Sequence, residues 1–308
     1  MIRTGFFYLL IFSSCFTMAQ PQKKLYYPSF DLQGHRGARG MFPENTLPAF
    51  MAALQQGVTT IELDVVITAD KQVLVSHEPY LSPEICLGLE GEEIKNEKQY
   101  NLYKMMYVDV AACDCGSKMH ERFPEQVKVK INKPLLRDVI VQVEDFIKNK
   151  TKYEVDYNIE IKSVKGEEGI SQPDVNVFSD LVIQLIDEYL PLDRVVIQSF
   201  DFRVLRYWHE KYPEVRLAAL VENKKSVDEN LAELGFLPSI YSPYYMLVKA
   251  EDVKNLHDRK IRVIPWTVNE PSEMLALKGI NVDGFITDYP NRAAKFKRTL
   301  NIQSKGKK

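Results

Sequence analysis

Short apolar segments alternate with helical patterns along most of the chain, and this alternation constrains the fold more than any other feature. The strand candidates are Asp31–His35, Thr59–Val66, Val155–Lys162, Arg194–Phe200, Val215–Val221, Ser239–Tyr244, Ile261–Val268 and Val282–Asp288. The main helical candidates are Thr46–Gln56, Leu135–Lys150, Asn176–Leu190, Phe202–Tyr212, Val227–Leu234, Ala250–Asp258 and Pro271–Leu277. Strands that alternate with helices pair in parallel through right-handed crossovers. Eight such strands predict an α/β fold, a closed (βα)8 barrel of the TIM type.

Two segments interrupt the alternation. Gln72–His77 follows Val66 too closely for the crossover of about a dozen residues that parallel neighbours need. It is therefore predicted to return antiparallel, as a β-hairpin at the barrel rim. The other segment, Tyr80–Lys133, has no barrel unit of its own, and its length indicates a small inserted subdomain. Because it follows a strand end, we expect it above the C-terminal face, where the active sites of such barrels are built.

The bulk composition excludes several classes of protein. Hydrophobic residues make up 45% and charged residues 27% of the 308 residues, as in ordinary folded domains. The formal net charge is −2, and no basic block interleaves with aromatic residues, so nucleic acid is not expected as a partner. The basic cluster at the C-terminus is interpreted as a solvated tail, 300–308, after a barrel domain over 31–299. The sequence leaves the oligomeric state open.

The N-terminus predicts export. Arg3 precedes a short apolar run, Gly5–Phe16, which ends near the small residue Ala19, the pattern of a secretory signal peptide over residues 1–19. The run is too short for a stable membrane span, so we expect a periplasmic or secreted protein. A competing interpretation attaches lipid to Cys15 as in a lipoprotein, but Phe12 fits that signal poorly.

The cysteines do not indicate a metal site. Of the four in the chain, Cys15 lies in the predicted signal, which leaves Cys86, Cys113 and Cys115. Export permits a disulfide between Cys86 and either of the other two, and reduced or partly paired structural thiols are the preferred interpretation. The spacing matches no zinc pattern.

Charged residues occur inside strands that should be apolar on both faces. In the second strand candidate, Glu62 and Asp64 stand two residues apart and share one face, and Glu160 and Lys162 repeat this spacing in the third. Three carboxylates that converge at the barrel mouth cannot all stay ionised without a cation. Oxygen ligands favour one hard divalent cation, Ca²⁺ or Mg²⁺. The alternative is a salt-bridge network of these carboxylates with Lys162 and Arg36.

Two histidines are predicted at the same rim. His35 closes the first strand candidate, and His77 ends the hairpin. A single histidine at a strand end is commonly structural, whereas two beside one metal site indicate a general acid and a general base, since imidazole titrates near neutral pH. His120, His209 and His257 are interpreted as surface or core residues.

Together these residues resemble the glycerophosphodiester phosphodiesterase family. The matching blocks, in family order, are Gly34-His35-Arg36-Gly37, Pro43-Glu44-Asn45-Thr46, Glu62-Leu63-Asp64-Val65, His77-Glu78, Glu160-Ile161-Lys162, Gln198-Ser199-Phe200, Trp266-Thr267-Val268-Asn269 and Asp283-Gly284-Phe285-Ile286-Thr287-Asp288. The resemblance spans about residues 31–297. Within the predicted insertion, the pieces that resemble the family's inserted subdomain are Asp114-Cys115-Gly116-Ser117 and Arg122-Phe123-Pro124-Glu125-Gln126.

The resemblance implies a role for individual residues. The residues that match family roles are Glu62, Asp64 and Glu160 for the metal, His35 and His77 for acid and base, and Arg36 and Lys162 for phosphate contact. Glu44 matches a family residue close to the metal and to Arg36. Gln198 and Trp266, like Glu44, are predicted either to support the ligating residues or to line the substrate pocket, although Trp266 can equally serve the core.

The implied reaction is metal-dependent hydrolysis of glycerophosphodiesters to glycerol 3-phosphate and an alcohol. Water, or a neighbouring glycerol hydroxyl through a cyclic phosphate, would be the nucleophile, and either histidine can be the acid. A close alternative is a phospholipase D of the sphingomyelinase type, although Pro43–Thr46 and the long insertion favour the first family. A non-catalytic barrel that only binds should lack a ligand or a histidine, and none is missing. A glycosidase with two carboxylates would not need the two histidines.

Overall fold

The computed structural model describes residues 27–151, 153–303 and 305–306, so the predicted signal peptide and Cys15 lie outside the described residues. The strands of this part are β1 (Asp31–Gly34), β2 (Thr60–Ile67), β3 (Val73–Val75), β4 (Tyr153–Glu154), β5 (Asp156–Ile161), β6 (Val195–Ser199), β7 (Arg216–Val221), β8 (Ile240–Pro243), β9 (Arg262–Val263), β10 (Gly284–Thr287) and β11 (Lys305–Gly306). The α-helices are α1 (Leu47–Gln56), α2 (Tyr107–Ala112), α3 (Leu136–Lys150), α4 (Val175–Tyr189), α5 (Phe202–Lys211), α6 (Val227–Leu234), α7 (Ala250–Asp258), α8 (Pro271–Gly279) and α9 (Pro290–Ala294). Short 3-10 helices lie at Leu102–Lys104, Leu192–Arg194 and Tyr245–Leu247.

The parallel strands form a barrel. Within the described residues, eight of them lie in the order β10-β1-β2-β5-β6-β7-β8-β9. The sheet closes where the segment after β9 meets β10, because the N–H of Val268 donates to the carbonyl of Ile286 and the N–H of Ile286 donates to that of Pro265. The predicted (βα)8 barrel is therefore confirmed.

One strand is much shorter than predicted, whereas the others differ from their predicted bounds by a few residues at most. The apolar segment Ile261–Val268 contains regular strand only at Arg262–Val263. Pro265 explains the difference, because proline has no N–H to donate to a neighbouring strand. Beyond it the chain has no regular strand, but it keeps an isolated parallel bridge from Trp266 to Tyr244 and the hydrogen bond from Val268 to Ile286.

The strands separate an apolar outer face from a polar mouth. On β2, Ile61, Leu63 and Val65 are fully buried in the large core between the sheet and its helices. Since successive strand side chains point to opposite faces, Glu62 and Asp64 point into the barrel. The alternation of side chains along β2 therefore places two carboxylates in the barrel interior.

The insertion rests on the predicted hairpin. β3 pairs antiparallel with β2, with Val75 opposite Val65, so the hairpin is confirmed. The insertion has a small hydrophobic core of its own, which the hairpin residues Val66 and Leu74 also join. A disulfide links Cys86 to Cys115, and Cys113 is a buried free thiol.

The chain stays in contact with the barrel beyond residue 299. Leu300 and Ile302 are buried in the main core. Lys305–Gly306 then pairs antiparallel with Tyr153–Glu154. Among the described helices, none combines the length and apolar character that a membrane crossing requires.

Candidate active site

Three carboxylates meet at the barrel mouth, as predicted. β2 and β5 pair in parallel with Asp64 opposite Glu160, and Glu62 lies two residues before Asp64 on the same face. One oxygen from each of the three lies within 4.8 Å of the others, and all three side chains are buried. This group can hold a metal ion.

The hydrogen bonds leave one oxygen of the group unsatisfied. Glu62 accepts from the backbone N–H of Arg36 and from Nε2 of Gln198, both at 2.8 Å. Asn45 Nδ2 donates to Asp64 Oδ2 at 2.8 Å. Asp64 Oδ1 accepts no hydrogen bond from the described residues, and the ammonium of Lys162 is 3.8 Å away. A buried oxygen of this kind is expected to have a partner.

The carboxylates differ in electrostatic state. Burial, together with the charges of Asp64 and Glu160, raises the pKa of Glu62 well above its ordinary value. Burial also raises the pKa of Glu160, despite the ammonium of Lys162. For Asp64, burial is outweighed by His77, Arg36 and Lys162, which hold its pKa below its usual range. The nearby protein cations therefore do not neutralise the whole group.

The salt bridges considered as an alternative are also present. Arg36 contacts Glu44 at 2.8 Å and Asp64 at 3.4 Å, and Lys162 donates to Glu160 at 2.7 Å. Glu44 also contacts Arg39, at 2.6 Å. Much of the charge of Arg36 is therefore directed to Glu44, which lies beside the carboxylate group as the sequence predicted.

His35 is held by a carboxylate from the last barrel strand. Its Nδ1 lies 2.6 Å from Asp288 Oδ1, and Asn269 donates to the other oxygen of Asp288. Burial lowers the pKa of His35, against the raising effect of Asp288. Although burial opposes it, the contact with His35 lowers the pKa of Asp288 to about 2. Asp288 is therefore a carboxylate that accepts from Nδ1, and Nε2 of His35 makes no hydrogen bond to the described part of the chain.

His77 has a similar arrangement. Its Nδ1 lies 2.5 Å from Oε1 of Glu78, and this hydrogen bond lowers the pKa of Glu78. The carboxylate again accepts from Nδ1 and leaves Nε2 available. Each imidazole is thus held in one orientation by a neighbouring carboxylate that contacts its Nδ1. Histidines that act as an acid or a base are commonly oriented in this way.

Both histidines line one cavity of about 210 Å³. The predicted residues that line it are His35, Arg36, Glu62, His77, Glu160, Gln198 and Trp266. Arg36, which lines the cavity, is in direct contact with Asp64 and Glu44. Lys162 lines an adjoining groove. The structure therefore brings every predicted site residue to one place.

Arg122 and Arg39 line the cavity as well and were not predicted. The guanidinium of Arg122 makes no hydrogen bond or ion pair within the described chain and lies 5.5 Å from the Phe123 ring. Its segment is docked on the barrel, because Gln126 donates to the carbonyls of Arg39 and Phe42. The family-like run that contains Arg122 was the only sequence signal for it.

Aromatic side chains form another part of the cavity wall. Trp266 is partly buried, donates to the carbonyl of Ser242, and meets Phe200 edge to face at 5.4 Å between ring centres. The remaining histidines lie elsewhere: His120 is buried in the insertion, His209 stacks on a phenylalanine, and His257 pairs with an aspartate.

Comparison with known proteins identifies the class of this barrel. The model of the glycerophosphoryl diester phosphodiesterase family matches residues 35–292. That range contains both histidines and all three carboxylates. The chain therefore belongs to the glycerophosphoryl diester phosphodiesterase family, whose members are enzymes that hydrolyse phosphodiesters.

Individual relatives agree in fold and length. A glycerophosphodiester phosphodiesterase of Bacillus altitudinis is 28% identical over 271 residues, 86% of this chain and 97% of that protein. The crystal structure of a candidate glycerophosphoryl diester phosphodiesterase from Silicibacter pomeroyi covers 91% of this chain and 96% of its own, with 26% identity and a TM-score of 0.78. An Oleispira antarctica phosphodiesterase, solved with the product sn-glycerol-3-phosphate, is 21% identical with a TM-score of 0.69 and covers 88% of this chain and 96% of its own.

Proposed function

We propose that this protein hydrolyses glycerophosphodiesters to glycerol 3-phosphate and an alcohol, using one divalent cation, Ca²⁺ or Mg²⁺, and His35 and His77 as its acid–base pair. One observation carries the proposal. Both imidazoles and the carboxylates of Glu62 and Glu160 face the same cavity of about 210 Å³. Membership of the family supplies the reaction class, and this cavity supplies the residues.

The carboxylate group fits a hard cation. Three oxygens within 4.8 Å of one another need only small shifts to bind one Ca²⁺ at its typical distance of roughly 2.4 Å each. The smaller shell of Mg²⁺, about 2.1 Å, would need them slightly closer. Asp64 Oδ1, which has no donor in the described chain, is an atom that a cation would satisfy. When bound, the cation would polarise the phosphoryl group and stabilise the charge that develops on it.

Protein cations would hold the phosphate. Arg36 and Lys162 are close enough to the carboxylates to act on the same substrate, but both already have carboxylate partners. Arg122 has none in the described chain and lines the same cavity. We therefore add Arg122 to Arg36 and Lys162 as a group that binds the anionic phosphodiester.

The two histidines would move the protons. In each, a carboxylate engages Nδ1, so Nε2 is the nitrogen that exchanges a proton with the substrate. One imidazole would take a proton from the nucleophile, and the other would protonate the leaving alcohol. The nucleophile is either water or a neighbouring glycerol hydroxyl that first forms a cyclic phosphate.

The glycerol unit suits this site. Ca²⁺ accepts about six to eight oxygen ligands, so three carboxylates leave positions that vicinal hydroxyl groups can fill. The Oleispira antarctica relative was solved with sn-glycerol-3-phosphate as its product. Trp266 lies in the cavity wall, where its ring can pack on the glycerol carbons.

Export is part of the proposal. The signal-like pattern of residues 1–19 predicts a periplasmic or secreted enzyme. The Cys86–Cys115 disulfide supports an oxidising compartment, because such bonds are rare in reducing ones. A lipid anchor at Cys15 is the competing form.

The direct test measures release of glycerol 3-phosphate from glycerophosphocholine by purified protein. We expect release to stop on chelation and to return when Ca²⁺ or Mg²⁺ is added. Bis(p-nitrophenyl) phosphate, which lacks glycerol, should be the poorer substrate, and a preference for it would overturn the substrate assignment. A sphingomyelinase-type phospholipase D would instead act on sphingomyelin, and a barrel that only binds would release nothing.

A further inference from the structure

A groove adjoins the cavity. It encloses about 390 Å³ and shares His77, Glu160 and Phe200 with the cavity, whereas His35 lines the cavity and not the groove. The phosphorus of a substrate at this shared wall can therefore carry one substituent into each space. A diester has two different substituents, a glycerol and a leaving alcohol.

The cavity and the groove differ in charge. The cavity wall carries three guanidinium groups against two carboxylates, those of Arg36, Arg39, Arg122, Glu62 and Glu160. Apart from the shared Glu160 and its partner Lys162, the groove wall has three carboxylates against one ammonium, those of Glu78, Glu97, Glu167 and Lys98. The groove is thus the electronegative side of the site.

Two of these carboxylates are available to a ligand. The side chain of Glu97 makes no hydrogen bond or ion pair with the part of the chain that is described. Glu167 accepts a hydrogen bond from the hydroxyl of Ser171 at 2.8 Å and has no cationic partner among the described residues. Glu97 comes from the insertion and Glu167 from the loop after β5, so they flank the groove from two elements.

Aromatic rings complete the groove. Tyr80 and Phe200 line it, and the side chain of Phe200 is 42% exposed at the wall shared with the cavity. Aromatic faces attract alkylammonium groups, and quaternary ammonium ligands are commonly bound this way. Carboxylates and rings together therefore match a small organic cation.

We propose that this groove is the subsite for the leaving alcohol and that it selects phosphodiesters of cationic amino alcohols over those of neutral alcohols. This inference rests on the proposed function and adds the class of leaving group. It also places His77, on the shared wall, beside the oxygen that leaves.

The groove also has apolar residues in its wall, such as Val164 and Pro79, so an acyl chain is the alternative occupant. It would place Glu97 and Glu167 beside hydrocarbon without a partner, which is unfavourable for charged groups. A cationic alcohol accounts for both the rings and the carboxylates.

The test compares kcat/KM for glycerophosphocholine, glycerophosphoethanolamine and glycerophosphoglycerol, with lysophosphatidylcholine as a fourth substrate, at one saturating Ca²⁺ concentration. We expect the full chain to prefer the two amino-alcohol diesters. In Glu97→Gln and Glu167→Gln, the ratio of kcat/KM for glycerophosphocholine to that for glycerophosphoglycerol should fall about two- to fivefold each, as for a partly exposed charge pair. Glu90→Gln is the matched control, because Glu90 is exposed in the same insertion and is not part of the groove wall.

The outcomes separate the two proposals. If the wild type hydrolyses all three glycerophosphodiesters without preference, or if the ratio is unchanged in both variants, the groove assignment is wrong and the proposed function stands. Lysophosphatidylcholine as the best substrate, with no change of the ratio in either variant, would assign the groove to an acyl chain. If none of the glycerophosphodiesters yields glycerol 3-phosphate, the proposed function itself fails.

Discussion

Nδ1 of His35 lies 2.6 Å from Oδ1 of Asp288, although 253 positions separate the two residues in the chain. They meet because β1 and β10 pair in parallel, with Gly34 opposite Thr287, and each residue directly follows its strand. Asp288 fixes the tautomer of His35. It also raises the pKa of His35, against the stronger lowering effect of burial.

Asp288→Asn should therefore move the pH profile of kcat/KM to lower pH. Loss of the carboxylate removes a contribution that raises the pKa of His35, so this pKa falls further below its ordinary value. If His35 is the base, the acidic limb moves down, and if it is the acid, the alkaline limb does. Asp283→Asn, which removes the partner of His257 outside the cavity, is the control. Identical profiles for wild type and Asp288→Asn would contradict the assignment.

Loss of one carboxylate of the group should remove both cation binding and turnover. A cation that binds only the folded protein stabilises it by about 2.7 kcal/mol at a hundred times its Kd, so added Ca²⁺ or Mg²⁺ should raise the Tm of the wild type. Glu62→Gln, Asp64→Asn and Glu160→Gln should lose this rise and nearly all activity. Asp145→Asn, exposed on α3, should keep both. A variant with normal activity and a normal rise would remove that residue from the ligand set.

Arg122→Gln should lower kcat/KM by roughly tenfold to a hundredfold, the range for loss of a hydrogen bond to a charged group. Inhibition by glycerol 3-phosphate should weaken with it, and Arg122→Lys should restore part of both. Lys130→Gln removes an exposed charge from the same insertion and is the control. Wild-type inhibition in Arg122→Gln would show that the guanidinium does not reach the phosphate.

The cysteines of the insertion should react unequally. Burial raises the pKa of Cys113 to about 11, so its thiol should resist alkylation at pH 8 in the native protein. Unfolding without reductant should expose this one thiol, and reduction should add Cys86 and Cys115. Opening a disulfide of sequence separation 29 should cost about 3–4 kcal/mol, measurable as a lower Tm. Peptide mapping that finds Cys86 alkylated without reductant would contradict the pairing.

The N-terminus of the protein isolated from its native host would distinguish the two proposed forms of export. Mass spectrometry should find Gln20 as the first residue, as glutamine or in its pyroglutamyl form. A diacylated Cys15 would instead establish the lipoprotein form. An intact Met1 in protein from the native host would refute both.

The carboxylate group and most strands could be predicted, because the side chains of buried strands are expected to be apolar. It is unfavourable to bury charged residues in such a strand. Glu62 and Asp64 are two positions apart and therefore share a face, so they indicate a functional site on that face. The same rule gave Glu160. Pro265 also was visible in the sequence and should have shortened the seventh strand candidate, since proline cannot donate to the sheet.

Other site residues could not be predicted, because they depend on how distant segments dock. Asp288 was part of a recognised block, but nothing in its surroundings indicates that it faces His35 until the barrel closes. Arg122 reaches the cavity only because Gln126 and Val127 attach their segment to the loop after β1. Such contacts depend on the path of an irregular insertion. Its sequence has no helical or strand periodicity from which that path could be predicted.

The pairing of β1 with β10 also sets the order in which this molecule can become active. The first barrel strand has no neighbour on one side until Gly284–Thr287 has been synthesised and folded against it. A nascent chain that lacks this last strand cannot place Asp288 on His35 or close the barrel. Contacts of such long sequence separation slow folding. The contact between Asp288 and His35 therefore forms only once this strand has docked, and if the chain is exported unfolded, as proposed, the proposed acid–base pair would be assembled only after translocation.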